Sequence, residues 1–216
     1  MMETQNEKIG QNVTIRPVHH EDIPAIHEIA VLGFGKNIAF HPEHYESQIE
    51  QFPDGQRCVE YNDRIVGASG SLLVHAQQFQ DDHQLSGICD NGYIRNHDPT
   101  GLHLYGIEVV VHPDYRHLKI GQKLYDERKR LTRKLNVQSI VIGGRMPYYH
   151  KYQNELTPDQ YATKVINREL YDPVMTFQLK SGFVFRRILT NYIPEDQASG
   201  TNAALMEWEN KAYTKV

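Results

Sequence analysis

The hydrophobic pattern changes period near residue 112. Residues 104–111 (LYGIEVVV) form an almost continuous apolar, β-branched run, the composition of a strand covered on both faces. Pro113-Asp114 ends it, because proline cannot donate to a ladder and Asp favours turns. Beyond the turn, Ile120, Leu124, Leu131 and Leu135 recur at helical spacing. Lys123, Asp126, Glu127, Lys129, Arg130, Arg133 and Lys134 lie between them, with Asp126 and Arg130 one turn apart in the favourable order. A buried strand, a tight turn, a Gly-containing loop and a long amphipathic helix therefore stand at the middle of the chain.

The flanks read in the same way. Residues 13–17 predict a short strand closed by Pro17, and His20-Glu21-Asp22 opens a helix with Ile23, Ile26 and Ile29 on one face. A loop with Gly33 and Gly35 precedes a helix over 42–52. Strands at 57–61 and 64–74 are joined by Asn62-Asp63, a hairpin signal, and Gly67 and Gly70 predict a bulge or a close backbone approach. Residues 77–100 are polar, with Gly87, Gly92 and Pro99, and read as an inserted, solvated loop. After the central helix comes a strand over 137–143, ended by Gly143-Gly144. A second insertion over 147–172 holds a helix begun by Thr157-Pro158-Asp159, with Tyr161, Val165 and Leu170 on its apolar face. Asp172-Pro173 opens a helix through Lys180 with Gly182 as its cap. Strands follow at 183–193, interrupted by Arg186 and Arg187, and at 204–208. The order predicts an α/β fold with a mixed central sheet flanked by helices.

Composition narrows the picture. A chain of 216 residues with 39% hydrophobic content can bury a core, most simply as a single domain over 13–216 behind a frayed polar tail, 1–12. That tail lacks the apolar centre of a signal peptide, and no apolar run is long enough for a membrane span. The net charge of −4 gives no electrostatic reason to expect nucleic acid. Cys58 and Cys89 make no disulfide framework, so a cytoplasmic location is the default. The twelve histidines are scattered; His19-His20 and His41-x-x-His44 lack a third ligand, so no metal is expected. Ser69, Ser71 and Ser181 sit in no Gly-x-Ser-x-Gly elbow.

The joint before the central helix carries specific chemistry. A helix N-terminus leaves its first amides without partners and is the positive end of the macrodipole. With Arg116 just upstream and Gly121 permitting close approach, it makes a candidate diphosphate cradle. The stretch VVVHPDYRHLKIGQKLY also resembles the acyl-CoA-binding signature of the GNAT-type N-acetyltransferases, Arg/Gln-x-x-Gly-x-Gly/Ala. Arg116 falls on its first position and Gly121 on its last, while Lys119 replaces the middle glycine. If that position takes a positive φ, lysine costs about 1 kcal/mol. The opening "xIRPxxxxDIPAIxEIA" is similar to that family too, and "GRxPxYHKY…YDPVxxFQLKxGF" resembles a subgroup fused to carbon–nitrogen hydrolases. No hydrolase-like stretch is read in these 216 residues, so that resemblance is expected to bear on the transferase half alone.

The resemblance implies a GNAT (acyl-CoA N-acyltransferase) fold, acetyl-CoA (coenzyme A) as cofactor, and a small-molecule or peptide amine as acceptor, with a homodimer open. Cofactor-binding residues would be the main chain of Val109, Val110 and Val111 and the loop Arg116, His117, Leu118, Lys119, Ile120, Gly121 and Gln122. Phe34, Phe40, Tyr45, Tyr148, Tyr149 and His150 would line the acceptor side, or serve as core and cover. An amine attacks a thioester only as the free base, and Glu108 is the candidate base; the alternative is that it anchors a loop or pairs an arginine. The departing thiolate needs a donor, and the family's tyrosine four residues before the glycine is Gln178 here. Either that amide suffices or a tyrosine of the second insertion, Tyr171 foremost, substitutes. The alternative to an enzyme is an acyl-CoA-binding sensor or partner module that has lost catalysis.

Overall fold

The structure, a computed structural model, describes residues 13–215; the expected tail, 1–12, lies outside the described residues. In chain order the elements are β1 (Val13–Pro17), α1 (Ile23–Phe34), α2 (Pro42–Gln51), β2 (Arg57–Tyr61), β3 (Arg64–Val74) and the one-turn α3 (Leu85–Ile88). They continue with β4 (His103–Val111), α4 (Ile120–Lys134), β5 (Ser139–Arg145), α5 (Pro158–Ile166), α6 (Pro173–Lys180), β6 (Val184–Leu189) and β7 (Ala203–Glu209).

Among the described residues, seven strands form one mixed sheet in the order β1-β2-β3-β4-β5-β7-β6. Among the described residues only β4 and β5 run parallel; α4 supplies the crossover that a parallel pair requires. The alternation of side chains along the strands divides the core. Cys58, Ala68 and Val110 pack against Ile26 and Tyr45 on the face of α1 and α2. Val59 and Val66 pack against Ile120 and Leu124 of α4 on the other.

Two stretches depart from the pattern-based reading. Residues 77–100 are not a solvated loop: Ile88, Cys89 and Ile94 are buried there. Main-chain carbonyls of the segment accept hydrogen bonds from side chains of other elements. Gln48 donates to the Gly92 carbonyl at 2.8 Å, Ser47 to Tyr93 O at 2.7 Å, and Arg187 to the carbonyls of Phe79, Gln80 and Asp81. The second departure is β5, which runs through Gly143-Gly144 to Arg145 instead of ending there, while β6 stops at Leu189. The two glycines thin the strand on opposite faces. A Cβ on Gly143 would stand 2.3 Å from the Tyr192 ring, and one on Gly144 2.1 Å from Gln178 Oε1.

The centre of the sheet is irregular at one point. Gly70 pairs with Glu108 but Ser71 with Gly106, so Ile107 is an extra residue on β4. Residues two apart on a regular strand share a face. Here Gly106 faces α4 while Glu108 faces Tyr45 of α2. The bulge disturbs the ladder, and Arg128 of α4 meets it. Only 4% exposed, its guanidinium donates to Gly70 O at 2.9 Å, Glu108 O at 2.8 Å and Ser71 Oγ at 3.1 Å. The space it occupies exists because residue 106 is glycine, whose Cβ would lie 2.5 Å from Arg128 Nη1. Replacing Arg128 by Met keeps much of the volume and strands two buried carbonyls and a hydroxyl. Arg128→Met is expected to lower stability by roughly 2–4 kcal/mol, read as a fall in urea midpoint at unchanged slope.

Candidate active site

The parallel pairing of β4 and β5 covers four residues and ends at Gly106–Ile142. Beyond it β4 runs on for Ile107 to Val111, and β5 for Gly143 to Arg145, without pairing to each other. Main-chain groups of Val109, Val110 and Val111 that point toward β5 therefore have no strand partner across the gap. Both sides of the gap are lined. Gly33 at the end of α1 comes against Val110, and the Arg145 guanidinium lies 5.7 Å from the Phe34 ring centre. On the other face Val109 and Val111 rest on the cluster that contains Ile120, which places the N-terminus of α4 beneath β4.

That N-terminus is an open donor set. The 3-10 turn Pro113–Leu118 leads into Lys119, whose φ of 56° and ψ of 28° are left-handed, so the backbone cost attached to a positive φ applies there. The first helical main-chain bond runs from Lys123 N–H to Lys119 O at 3.2 Å, so the amides of Ile120, Gly121 and Gln122 precede the ladder. Arg116 and His117 are exposed, and Arg116 makes no ion pair among the described residues. Leu118 and Ile120 are held in the core by their side chains, and Gln122 by Asp126 and Ser181, so these three offer main chain only. A Cβ on Gly121 would find ordinary contact, 3.4 Å from the Phe177 ring. The protein itself leaves room there.

Glu108 is 7% exposed and accepts a hydrogen bond from Tyr45 Oη at 3.1 Å. Burial pushes its carboxyl up to about 7, against the pull of the Tyr45 bond and of the Arg128 charge. Tyr45 is raised in turn by burial and by Glu108. The carboxyl borders a cavity with Val18, Ile26, Gln48, Gln56 and Ser69 that has room for about one water. A carboxyl poised near neutrality beside a water-sized space can take up a proton at physiological pH.

The remaining sequence candidates separate. Gln178 is 4% exposed, its amide lying across Gly144. Tyr171 is not brought to it: that ring is 58% exposed and meets the edge of Tyr148. The hydroxyl that does reach Gln178 belongs to Tyr125 of α4, at 3.4 Å from Nε2. Tyr149 is buried and donates to Leu156 O at 2.9 Å, which fixes the insertion instead of lining a cleft. Tyr148 lies under Lys151, and the exposed His150 bonds Pro147 O at 2.7 Å. Of the other predicted acceptor-side residues, Phe34 stands against Arg145 of the unpaired end of β5, Tyr45 bonds Glu108 and lines its cavity, and Phe40 packs edge-on against His44 and Tyr45.

Three side chains escaped the sequence reading: Arg128, Tyr125 and Arg145, the last paired twice at 2.7 Å to the buried Asp196. One signal was present. The apolar stripe 120, 124, 131, 135 has its missing member at 128, so a charge stands where a helix of this pattern buries its face.

Comparison with known proteins accords with this geometry. The family model described as Acetyltransferase (GNAT) family matches residues 23–151. The probable hydrolase YhcX of Bacillus subtilis (strain 168) is 46% identical over 206 residues, which cover 95% of this chain and 40% of that protein. The chain thus spans well under half of that relative. The uncharacterized N-acetyltransferase YkwB of the same organism is 36% identical over 183 residues, covering 85% of this chain and 80% of that one. Among solved structures, the GphF GNAT-like decarboxylase in complex with isobutyryl-CoA superposes with a TM-score of 0.80 at 20% identity, over 91% of this chain and 98% of that chain.

The Glu108 environment sets a pH dependence of stability. Its folded pKa lies above its ordinary value of 4.5, so the stability it lends is full below about 4.5 and is lost as pH rises through about 7. Glu108→Gln keeps a partner for Tyr45 without the buried charge. It is expected to match the parent near pH 4.5 and exceed it by about 3 kcal/mol above pH 7, given a carboxyl raised to about 7. Urea unfolding across that range measures the difference; a constant difference would contradict the raised carboxyl.

Proposed function

The chain belongs to the acetyltransferase (GNAT) family, and on that premise we propose that it transfers an acetyl group from acetyl-CoA to a primary amine. Attack is direct, within a ternary complex, and residues 13–216 are the acetyltransferase domain. One observation carries the reading: β4 and β5 part directly above a helix N-terminus whose amides have no helical acceptor. A thioester on a long amide-bearing arm, ending in a diphosphate, is complementary to that pair of features. The amides of Ile120, Gly121 and Gln122 and the Arg116 guanidinium would hold the diphosphate. Unpaired groups of β4 would bond the arm as another strand does. The bound acetyl-CoA supplies the activated acyl group.

The residues of this chain then do the rest. Phe34 and the Arg145–Asp196 pair flank the side from which the amine enters. Glu108, acting through a water, removes the proton that an ammonium must lose before it attacks. Rate is expected to rise with pH through about 7, the value of the buried Glu108 carboxyl, and then level off. Positioning by the strands contributes the remainder of the acceleration.

A second reading is favoured by the end-to-end fold likeness to a GNAT-like decarboxylase and by Gln178, an amide where the resembled family carries a tyrosine. Loss of carbon dioxide from a carboxyacyl-CoA needs no amine base. The electron pair moves into the thioester carbonyl, and the α-carbon then takes a proton, for which a half-protonated Glu108 is suited. Incubation with malonyl-CoA and, separately, with acetyl-CoA and an amine panel distinguishes the two. Free thiol released in proportion to amine supports the transferase; carbon dioxide released without free thiol supports the decarboxylase.

Both readings share the cradle. Arg116→Ala is expected to weaken coenzyme A binding roughly 5- to 20-fold at low salt and less at high salt. Gly121→Ala is expected to leave stability unchanged or slightly raised, because its Cβ has room, while weakening the same binding. Calorimetric titration measures both, and an unchanged dissociation constant in each would empty the cradle of its role.

A further inference from the structure

The inserted segment 77–100 connects a histidine to the gap through two buried tyrosines. His83 Nδ1 lies 3.0 Å from the Asp81 carbonyl, which can only accept, so Nδ1 carries the ring hydrogen and Nε2 is an acceptor. The Tyr105 hydroxyl, 2.9 Å away, donates to that Nε2. With its one proton spent there, Tyr105 accepts from the Tyr192 hydroxyl at 3.1 Å. The hydrogen bonds all point one way, from Tyr192 through Tyr105 to His83. The Tyr192 hydroxyl oxygen keeps acceptor capacity and has no donor of its own among the described residues.

The two ends of this series are placed differently. Tyr105 and Tyr192 are buried, whereas His83 is partly exposed. The Tyr192 hydroxyl stands 2.6 Å from where a Cβ of Gly143 would be, and Gly143 is the first β5 residue beyond the last β4 partner. Ile142 meets Gly106 on the α4 face, so Gly143 and Tyr192 belong to the opposite face, where Glu108 meets Tyr45. The outer end is pinned from β6. Arg187 bonds Asp82 at 2.9 Å and the Phe79 carbonyl at 3.0 Å, and the Leu85 N–H donates to Tyr192 O at 2.9 Å. Arg187, Asp82 and the two tyrosines are the charged and titratable groups that face the His83 ring, with Cys89 beside the hydroxyls. Burial first, and then the Arg187 charge, hold the ring below its ordinary value against the Asp81 bond and Asp82. A proton that reaches it is readily shed to water.

We propose that Tyr192, Tyr105 and His83 relay a proton to water from the amine that has attacked the thioester. The inference rests on the transferase reading. Glu108 takes one proton from the ammonium before attack. Once its lone pair bonds the acyl carbon, the nitrogen is positive. It loses a second proton as the carbon–sulfur bond breaks and that electron pair goes to sulfur. Tyr192 Oη accepts this proton while its own passes to Tyr105 and that of Tyr105 passes to His83 Nε2, so no phenolate is left behind. His83 and Glu108 each release a proton to water, and sulfur takes one from water. The net change is ammonium plus thioester to amide, thiol and one proton. Tyr192 is the member that touches the amine; Tyr105 and His83 act through it.

Tyr105→Phe tests this, because it cuts the series in the middle, keeps the ring and leaves the gap untouched. Turnover on the amine panel is expected to fall about 10- to 100-fold, with coenzyme A binding within roughly twofold of the parent. His83→Gln still accepts from Tyr105 but takes up no proton, and its turnover should fall likewise. His83→Ala should regain turnover when imidazole is added, since that end is open to water; His83→Ala combined with Tyr105→Phe should not. In mixtures of light and heavy water the parent's turnover should curve with deuterium content, because several protons move together, and Tyr105→Phe should give a straight line. Turnover within about twofold of the parent in both Tyr105→Phe and His83→Gln overturns the relay. So does a loss that imidazole does not repair and that weaker coenzyme A binding matches, the mark of a packing role. Absence of acetyl transfer by the unaltered protein to every amine of the panel would overturn the transferase reading itself, a result distinct from both.

Discussion

A buried guanidinium holds the middle of this molecule together. Arg128 enters the sheet from α4 and bonds two carbonyls and a hydroxyl at the point where β4 carries one residue too many. Desolvating a charge is costly, and the cost is offset only when hydrogen bonds replace water. Among the described residues Arg128 makes no ion pair, so those carbonyls and Ser71 supply the replacement. The bulge and the arginine are therefore mutually dependent: one presents the acceptors, the other satisfies them.

The consequences run outward from that contact. The extra residue turns Glu108 away from α4 and toward Tyr45, where burial holds its carboxyl near neutrality. The parallel pairing of β4 and β5 ends at Gly106, the glycine over which Arg128 lies. An opening between strands is normally filled by a third strand or by side chains. Here Gly143 and Gly144 thin one wall, while Tyr192 and Gln178 close in from opposite faces. Glu108 and the Tyr125–Gln178 contact thus stand on different faces of the sheet.

The helix below contributes by geometry rather than by side chains. Leu118 and Ile120 are committed to the core, and Lys119 bears the left-handed turn that aims the next three amides outward. A lysine there carries a backbone cost that glycine would not. Residues 77–100 depart from their polar pattern for a tertiary reason. Their polarity signals solvent, yet Gln48, Ser47 and Arg187 bond that segment's carbonyls from elements far away in the sequence.

What the sequence determined by itself is everything set by contacts within a few residues. The strand and helix periods, the Asn62-Asp63 hairpin, the caps at Thr157 and Gly182 and the order of the elements along the chain all belong there. The candidate cradle belongs there too, since a helix start and its loop are continuous in the chain. Tertiary structure alone decided which face Glu108 presents, because a single bulge residue reverses it. It also decided that the tyrosine beside Gln178 is Tyr125 rather than Tyr171, that Tyr149 is a strut, and that Arg145 pairs with Asp196. Each of these depends on strand pairing and helix packing between distant segments, where a shift of one residue exchanges interior for surface.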